Sequence, residues 1–193
     1  MKLYLVRHGQ TNMNVEHRLQ GTTDTPLNEK GKQQARNLHE KLMQENLSFD
    51  VVYCSPLQRA RLTGELATGM NSEEFVLEPR IAEMNMGDLE RHTYRELGPD
   101  FMASFFEDPS TFVPTGNGET FLQLIERVGG FLEEIKEDPP GERALAVSHG
   151  AAIRAMLAYV ESTPLKSFWK PVVDNCQLIT LQLIDGNWSV AAE

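Results

Sequence analysis

Leu3-Tyr4-Leu5-Val6-Arg7-His8-Gly9-Gln10-Thr11 opens the chain with an unbroken apolar run that stops at an arginine, a histidine and a glycine. Short and without alternation, this is the pattern of a strand covered on both faces. It predicts a buried strand that delivers an imidazole beside a permanent cation, where the chain turns into a loop. The carboxyl ends of parallel strands are where α/β folds hold ligands, and helix N-termini converge there to receive anions. Arg7 and His8 are therefore the first candidates for a site that handles phosphate.

The same pattern recurs downstream. Asp50-Val51-Val52-Tyr53-Cys54 reads as a second buried strand, stopped by Ser55-Pro56. Pro56 suits the first turn of a helix that carries Arg59 one turn in, facing the strand end. Phe75 to Pro79 reads as a third strand. Ala144-Leu145-Ala146-Val147-Ser148 is a fourth, ending at His149-Gly150 and running into a helix over 151–159. Between the strands lie helical patterns. One is capped by Asn28 and turns Ala35, Leu38, Leu42 and Met43 to one side. Another, from Gly118, aligns Phe121, Leu124, Ile125, Val128, Leu132 and Ile135. Its Gly129-Gly130 pair costs about 1 kcal/mol per glycine relative to alanine and implies close packing against a neighbour. The segments 177–184 and 188–191, joined through Asp185-Gly186-Asn187, read as a terminal hairpin. The expected fold class is α/β: a mostly parallel sheet with helices on both faces and one antiparallel strand.

Bulk properties narrow the partners. With 193 residues and 40% hydrophobic content, the chain builds one core and is read as a single domain, 1–193. Acidic residues outnumber basic ones 28 to 18, for a formal charge of -10, which argues against nucleic acid or an anionic membrane as partner. The expected partner is a small molecule; no helix or strand marks an oligomer interface. Cys54 and Cys176 form neither a metal cluster nor a disulfide framework and are expected to be buried thiols. The N-terminal apolar run is shorter than the roughly 7–15 residues of a signal-peptide core. No stretch approaches the roughly 18 apolar residues of a membrane span. A soluble, cytoplasmic protein is expected, and no familiar zinc or calcium spacing appears.

Two segments resist simple periodicity. The polar stretch from Gly9 to Leu27 is too long for a passive turn, and such loops are usually functional. From Met84 to Gly118 no single period holds, although 94–106 reads as helical. This second segment is expected to cover the site.

His8 and His149 occupy equivalent places, each at a strand end and each followed by glycine. If the two strands are central and parallel, the imidazoles meet. A nucleophilic histidine needs a neutral ring with an aimed lone pair. Arg7 and Arg59 nearby disfavour its protonation and clamp an anion through planar forks suited to phosphate.

At this point the chain resembles the histidine phosphatase superfamily, which contains the cofactor-dependent phosphoglycerate mutases and many small phosphatases. Arg7-His8-Gly9-Gln10-Thr11 with Asn14 looks like its signature. Gly21, Asp24, Pro26-Leu27, Gly31 and Gln34-Ala35 resemble a second block, and Ser55-Pro56-Leu57-Gln58-Arg59-Ala60 with Thr63 a third. Glu83 followed by Gly87-Asp88-Leu89-Glu90, and finally Ser148-His149-Gly150, are similar to the last two. The resemblance covers most of the chain in the family's order. It implies a three-layer α/β/α sandwich of phosphoglycerate mutase-like type, in which His8 is phosphorylated. Arg7, Asn14, Arg59 and His149 would hold the phosphoryl group, and Glu83 would protonate the leaving oxygen. Gln20, Gly21 and Gly150 would contact substrate. No cofactor or metal is implied. Three positions depart from the family: Arg91 and Ala151 stand where glycine is frequent, and Gly64 where alanine is common. Arg91 is expected to alter its loop, Ala151 to suit a helix start, and Gly64 only to weaken a helix.

The reading that follows is a phosphomonoester hydrolase working through phosphohistidine on a small phosphorylated metabolite. The alternatives are a cofactor-dependent phosphoglycerate mutase and a phosphoryl-binding module without turnover. The longer insertion and polar tail that mutases use against water look absent, which favours hydrolysis. Met84, Met86, Phe101, Met102, Phe105, Phe106 and Phe112 concentrate apolar bulk in the segment expected to roof the pocket, part of that set being ordinary core packing; only Arg91 and Arg95 are cations there, fewer than a small, highly charged substrate such as phosphoglycerate would want.

Overall fold

The structure is a computed structural model and describes residues 1–191; the last two residues of the expected domain, 192 and 193, lie outside the described residues. Six strands form one sheet in the order β3-β2-β4-β1-β5-β6. They are β1 (Lys2–Arg7), β2 (Val51–Cys54), β3 (Val76–Leu77), β4 (Arg143–Ser148), β5 (Leu178–Ile184) and β6 (Asn187–Val190). β1 and β4 are central and parallel, with Arg7 opposite Ser148, so His8 and His149 leave the sheet side by side. β5 pairs antiparallel with both β1 and β6 and is the one strand that runs against the rest. The expected third strand is only two residues long, because short 3₁₀ turns at Ser72–Glu74 and Pro79–Ile81 take up its flanks.

The helices are α1 (Asn12–Val15), α2 (Glu29–Gln44), α3 (Gln58–Thr68), α4 (Tyr94–Met102), α5 (Phe121–Glu137) and α6 (Gly150–Glu161). Alternation along each strand divides the core between them. Tyr4, Val6, Leu145 and Val147 pack with Leu38 and Leu42 of α2 and Ala60 and Ala67 of α3. Leu3, Leu5, Ala144 and Ala146 point the other way, into the cluster that α5 and α6 build. The result is the expected α/β/α sandwich. Among the described residues, no helix is long and apolar enough to cross a membrane.

Local chemistry accounts for most boundaries. Asn28 caps α2 through a bond from Gly31 N–H at 2.8 Å. Thr120 and Gln123 form a capping box that starts α5 at Phe121, three residues after Gly118. In the hairpin, Asp185 (φ 50°) and Gly186 (φ 75°) supply the two left-handed residues of a primed turn.

Several expectations need correction. Pro56 lies outside α3, ahead of its N-cap Leu57. Met43 is 65% exposed, because α2 buries only a narrow stripe ending at Leu42. Cys54 is buried, with its thiol pushed up to about 12, but Cys176 is only half-buried. At Gly129 a Cβ would lie 2.5 Å from the Tyr159 ring, so that glycine allows the close approach of α6; Gly130 has open space. Gly64 does more than weaken its helix, since a Cβ there would meet the Phe75 ring at 2.8 Å. Arg91, expected to alter its loop, stands in a strained backbone conformation. It adopts φ 71°, the left-handed conformation a glycine takes freely, and carries the strain.

Candidate active site

The end of β1 places His8 in a nearly closed environment, 1% exposed. Its backbone N–H donates to Ser148 O at 2.9 Å, extending the β1–β4 ladder by one residue. Its Nδ1 lies 2.7 Å from Gly9 O, a pure acceptor, so Nδ1 carries the proton and Nε2 holds the lone pair. Gly9 is required here: a Cβ would sit 2.4 Å from the carbonyl oxygen of Gly31. Burial first, then the charges of Arg59 and Arg7, hold the imidazole well below the ordinary value of 6.5. His8 is thus a neutral ring, with Nδ1 spent and Nε2 available.

His149 lies against it, ring centroids 5.1 Å apart. Burial and Arg59 likewise push its ring well below the ordinary value. Its Nε2 meets Ser55 Oγ at 2.7 Å, and its buried Nδ1 has no partner. Leu57 N–H points at the same hydroxyl from 3.4 Å; with the Ser55 hydroxyl donating to His149 Nε2, the ring proton stands on Nδ1. An unspent donor in a dry site is costly unless a ligand accepts from it.

Two arginines add to that demand. Arg59 is fully buried, and its guanidinium donates to Thr23 O and Gly21 O, both at 2.8 Å. Arg7 Nη1 donates to Val173 O at 2.7 Å. The Nε of each is buried and unpartnered, and neither makes an ion pair among the described residues. Two fixed cations with their unspent Nε donors, and the unpartnered His149 Nδ1 beside them, make a cradle that a phosphoryl dianion satisfies.

Glu83 reaches the site from the loop after the 79–81 turn. Its Oε1 accepts from the backbone N–H groups of Met84 (3.0 Å), Ala151 (3.1 Å) and Ala152 (3.2 Å), which ties it to the first turn of α6. Oε2 keeps only a long 3.4 Å contact to Ala151 N. One oxygen is anchored and the other is free to carry a proton. Ala151, where glycine was the family alternative, starts α6 without disturbing this arrangement.

A cavity of about 260 Å³ opens above these groups, lined by Arg7, His8, Asn14, Gln20, Gly21, Glu83 and Gly150 among others. Asn14 Oδ1 accepts from Thr11 N–H at 3.0 Å, and Gln20 Oε1 from the Thr11 and Thr25 hydroxyls at 2.8 and 2.9 Å. The amide nitrogens of both have no protein partner among the described residues. Gly21 has φ 51°, and a Cβ on it would collide with Glu90. Arg59 and His149 do not line the open cavity; they lie beneath it, beside His8.

The structure divides the expected roof residues between wall and core. Met84, Met86, Phe105 and Phe106 line the cavity, but Phe101 and Phe112 belong to the core and Met102 is exposed. Arg91 and Arg95 do not line it. Leu19, Tyr94, Trp169, Arg18 and Arg154 do, and sequence reasoning missed all five. Only Arg154 carried a usable signal: it lies four residues after Gly150, one helical turn along the same face.

The family's model, described as the histidine phosphatase superfamily (branch 1), matches residues 3–192. The chain belongs to that superfamily. It is 33% identical over 177 residues to an adenosylcobalamin/alpha-ribazole phosphatase of Escherichia coli, covering 90% of this chain and 86% of that one. It is also 30% identical over 191 residues to a probable phosphoglycerate mutase of Cronobacter sakazakii, covering 97% and 87%. Among solved structures, Bacillus stearothermophilus YhfR superposes with a TM-score of 0.88 at 32% identity, over 100% of this chain and 96% of that chain.

Proposed function

We propose that this histidine phosphatase hydrolyses small phosphomonoesters in the cytoplasm through a phosphohistidine on His8, as one domain in which residues 84–118 form the cover. The observation that carries the reading is the buried, neutral His8, with Nδ1 tied to Gly9 O and Nε2 left over beside two unpaired arginines. Nε2 attacks phosphorus, forming the P–N bond as the P–O ester bond breaks. Arg7, Arg59, Asn14 and His149 hold the phosphoryl oxygens, and electrostatic stabilisation by such fixed donors is commonly the largest catalytic term. Glu83 gives its proton from Oε2 to the leaving alkoxide. It then takes a proton from water, whose oxygen attacks phosphorus as the P–N bond breaks, releasing phosphate and restoring both groups.

A binding module without turnover needs the cations but has no use for an aimed lone pair or a placed acid. The test is phosphate release from 4-nitrophenyl phosphate in EDTA by wild type and His8→Ala. Wild type is expected to release phosphate and the variant to lose at least about 10⁴-fold in kcat. No release by wild type, or undiminished release by the variant, overturns the reading. Primer-dependent interconversion of phosphoglycerates without net phosphate release would replace it with a mutase.

A further inference from the structure

Glu83 is tied to α6 by its carboxylate, but its backbone is held from another side. Residues 82–86 belong to no helix or strand, so their carbonyls have no regular ladder to join. Arg127, nearly two turns into α5, reaches across to this stretch. Its Nη1 donates to Arg80 O at 2.6 Å and Ala82 O at 3.1 Å, and its Nη2 to Glu83 O at 3.4 Å. The rest of the fork goes to one carboxylate, with Nη2 donating to Glu119 Oε1 at 2.6 Å and Nε to Glu119 Oε2 at 3.2 Å. The five N–H donors of the guanidinium thus meet five acceptors, and none is left for a ligand. Arg127 does not line the cavity either.

Glu119 extends the same clip to the segment 84–118. Its Oε1 also accepts from Asn85 N–H at 2.8 Å, and its backbone N–H donates to Asn85 O at 2.9 Å. Asn85 Nδ2 donates in turn to Asn117 O at 2.9 Å. The two ends of the segment are therefore joined to each other and, through Arg127, to the helix behind them. With side chains only 24% and 16% exposed, Arg127 and Glu119 form a bidentate pair that keeps its geometry better than a solvated one. Upstream, Ser148 Oγ donates to Ile81 O at 2.7 Å, so the chain before Ala82 stays tied to β4 without Arg127. What depends on Arg127 is the stretch that carries Glu83.

We infer that Arg127 is a positioning residue for the proton donor: it sets the backbone from which Glu83 reaches the leaving oxygen, and Glu119 keeps its fork aligned. This rests on the phosphomonoesterase reading above. Proton transfer needs the donor within hydrogen-bond reach, and a misplacement of about 1 Å by a residue away from the chemistry can cost about 10²-fold. The phosphoryl cradle is built from other elements. The bonds that fix Arg7, His8, Arg59 and His149 run to Val173, Gly9, Thr23, Gly21 and Ser55, and none runs to Arg127 or Glu119. Loosening the clip therefore displaces the acid and leaves phosphoryl binding as it was.

The test compares kcat/KM, which reads the step that expels the alcohol, on phenyl phosphate and 4-nitrophenyl phosphate, a matched pair in which only the first leaving group needs the proton. Arg127→Met should lower kcat/KM on phenyl phosphate about ten-fold more than on 4-nitrophenyl phosphate, while the inhibition constant of inorganic phosphate stays within about two-fold of wild type. Arg127→Lys keeps the charge without the fork and should recover part of the loss. In a Glu83→Gln background, Arg127→Met should add no further loss on phenyl phosphate, because the acid it positions is gone. Equal loss on both substrates, or a loss that multiplies with that of Glu83→Gln, overturns the inference, since a merely structural role lowers the active fraction for both alike. If Arg127→Met does not fold, Glu119→Gln carries the test: it should show the same selective loss at smaller size, and an unselective loss overturns the inference. Selective loss in Glu83→Gln alone leaves the acid in place and removes Arg127 from its support. Absence of 4-nitrophenyl phosphate turnover by wild type strikes the hydrolase reading, and the inference with it.

Discussion

The floor and the roof of the cavity are built by different forces. On the floor, His8, Arg59 and His149 are buried and held by directional bonds to Gly9 O, Gly21 O, Thr23 O and Ser55 Oγ. In the roof, Phe105, Phe106 and Trp169 are held largely by one another, with ring centroids 4.9 to 5.2 Å apart. They stand on irregular backbone: α4 breaks at Gly98-Pro99, and a π-turn follows over Ala103–Glu107. Directional bonds fix atoms to within tenths of an ångström, as in-line transfer demands, whereas apolar contact fixes volume and tolerates repacking. On the function proposed above, the floor sets the reaction and the roof selects the alcohol.

The two regions are tied at few points, and Glu90 is one of them. It accepts from the backbone and hydroxyl groups of Thr22 and Thr23, next to the carbonyls that hold Arg59. Burial pushes its carboxyl up, but the bonds from Thr23 and Thr22 outweigh that and hold it below the ordinary range. The roof segment thereby shapes the loop that orients the buried arginine.

The largest effect that would break the contrast comes from Glu83, which belongs to the floor by its bonds and stands one residue before the cover in sequence. Glu83→Gln should lower kcat on alkyl phosphates by about 10²–10⁴-fold and on 4-nitrophenyl phosphate far less, because a good leaving group needs little protonation. Equal loss on both, in steady-state assays, would make Glu83 only a clamp on α6.

A smaller effect reads the floor histidines through pH. His8 is held well below 6.5, so it remains an unprotonated nucleophile as pH falls through that value. The acid limb of kcat/KM, corrected for substrate ionisation, should lie clearly below 6.5. A limb at 6.5 would mean the floor is wetter than described. Stability carries the opposite burden. Both histidines titrate lower in the folded state, so the unfolded chain binds more protons below 6.5. Their contribution is complete above 6.5 and is lost as pH falls from there toward the folded values, which thermal melts across this range will register.

The smallest effect belongs to the cover. Arg91 holds φ 71° beside Glu90, so Arg91→Gly should raise stability by up to about 1 kcal/mol, once the glycine's own entropy cost is deducted. A lower melting temperature would show that the exposed arginine supports the loop through contacts outweighing its strain.

By itself the sequence determined the layer order and which histidines meet at the strand ends. Apolar runs ending in Arg7-His8-Gly9 and Ser148-His149-Gly150 specify buried parallel strands, and a strand's period and end leave a side chain little choice of direction. The hairpin, the cap of α2 and the close approach at Gly129 were legible for the same local reason. Only the tertiary structure decided that Phe101 and Phe112 are core while Tyr94 and Trp169 are wall, and that Arg7 and Arg59 make no ion pair among the described residues. Such assignments depend on which distant segments share a volume and which charges find partners. No local pattern records either, because packing is non-directional and ion pairing is settled between residues far apart in the chain.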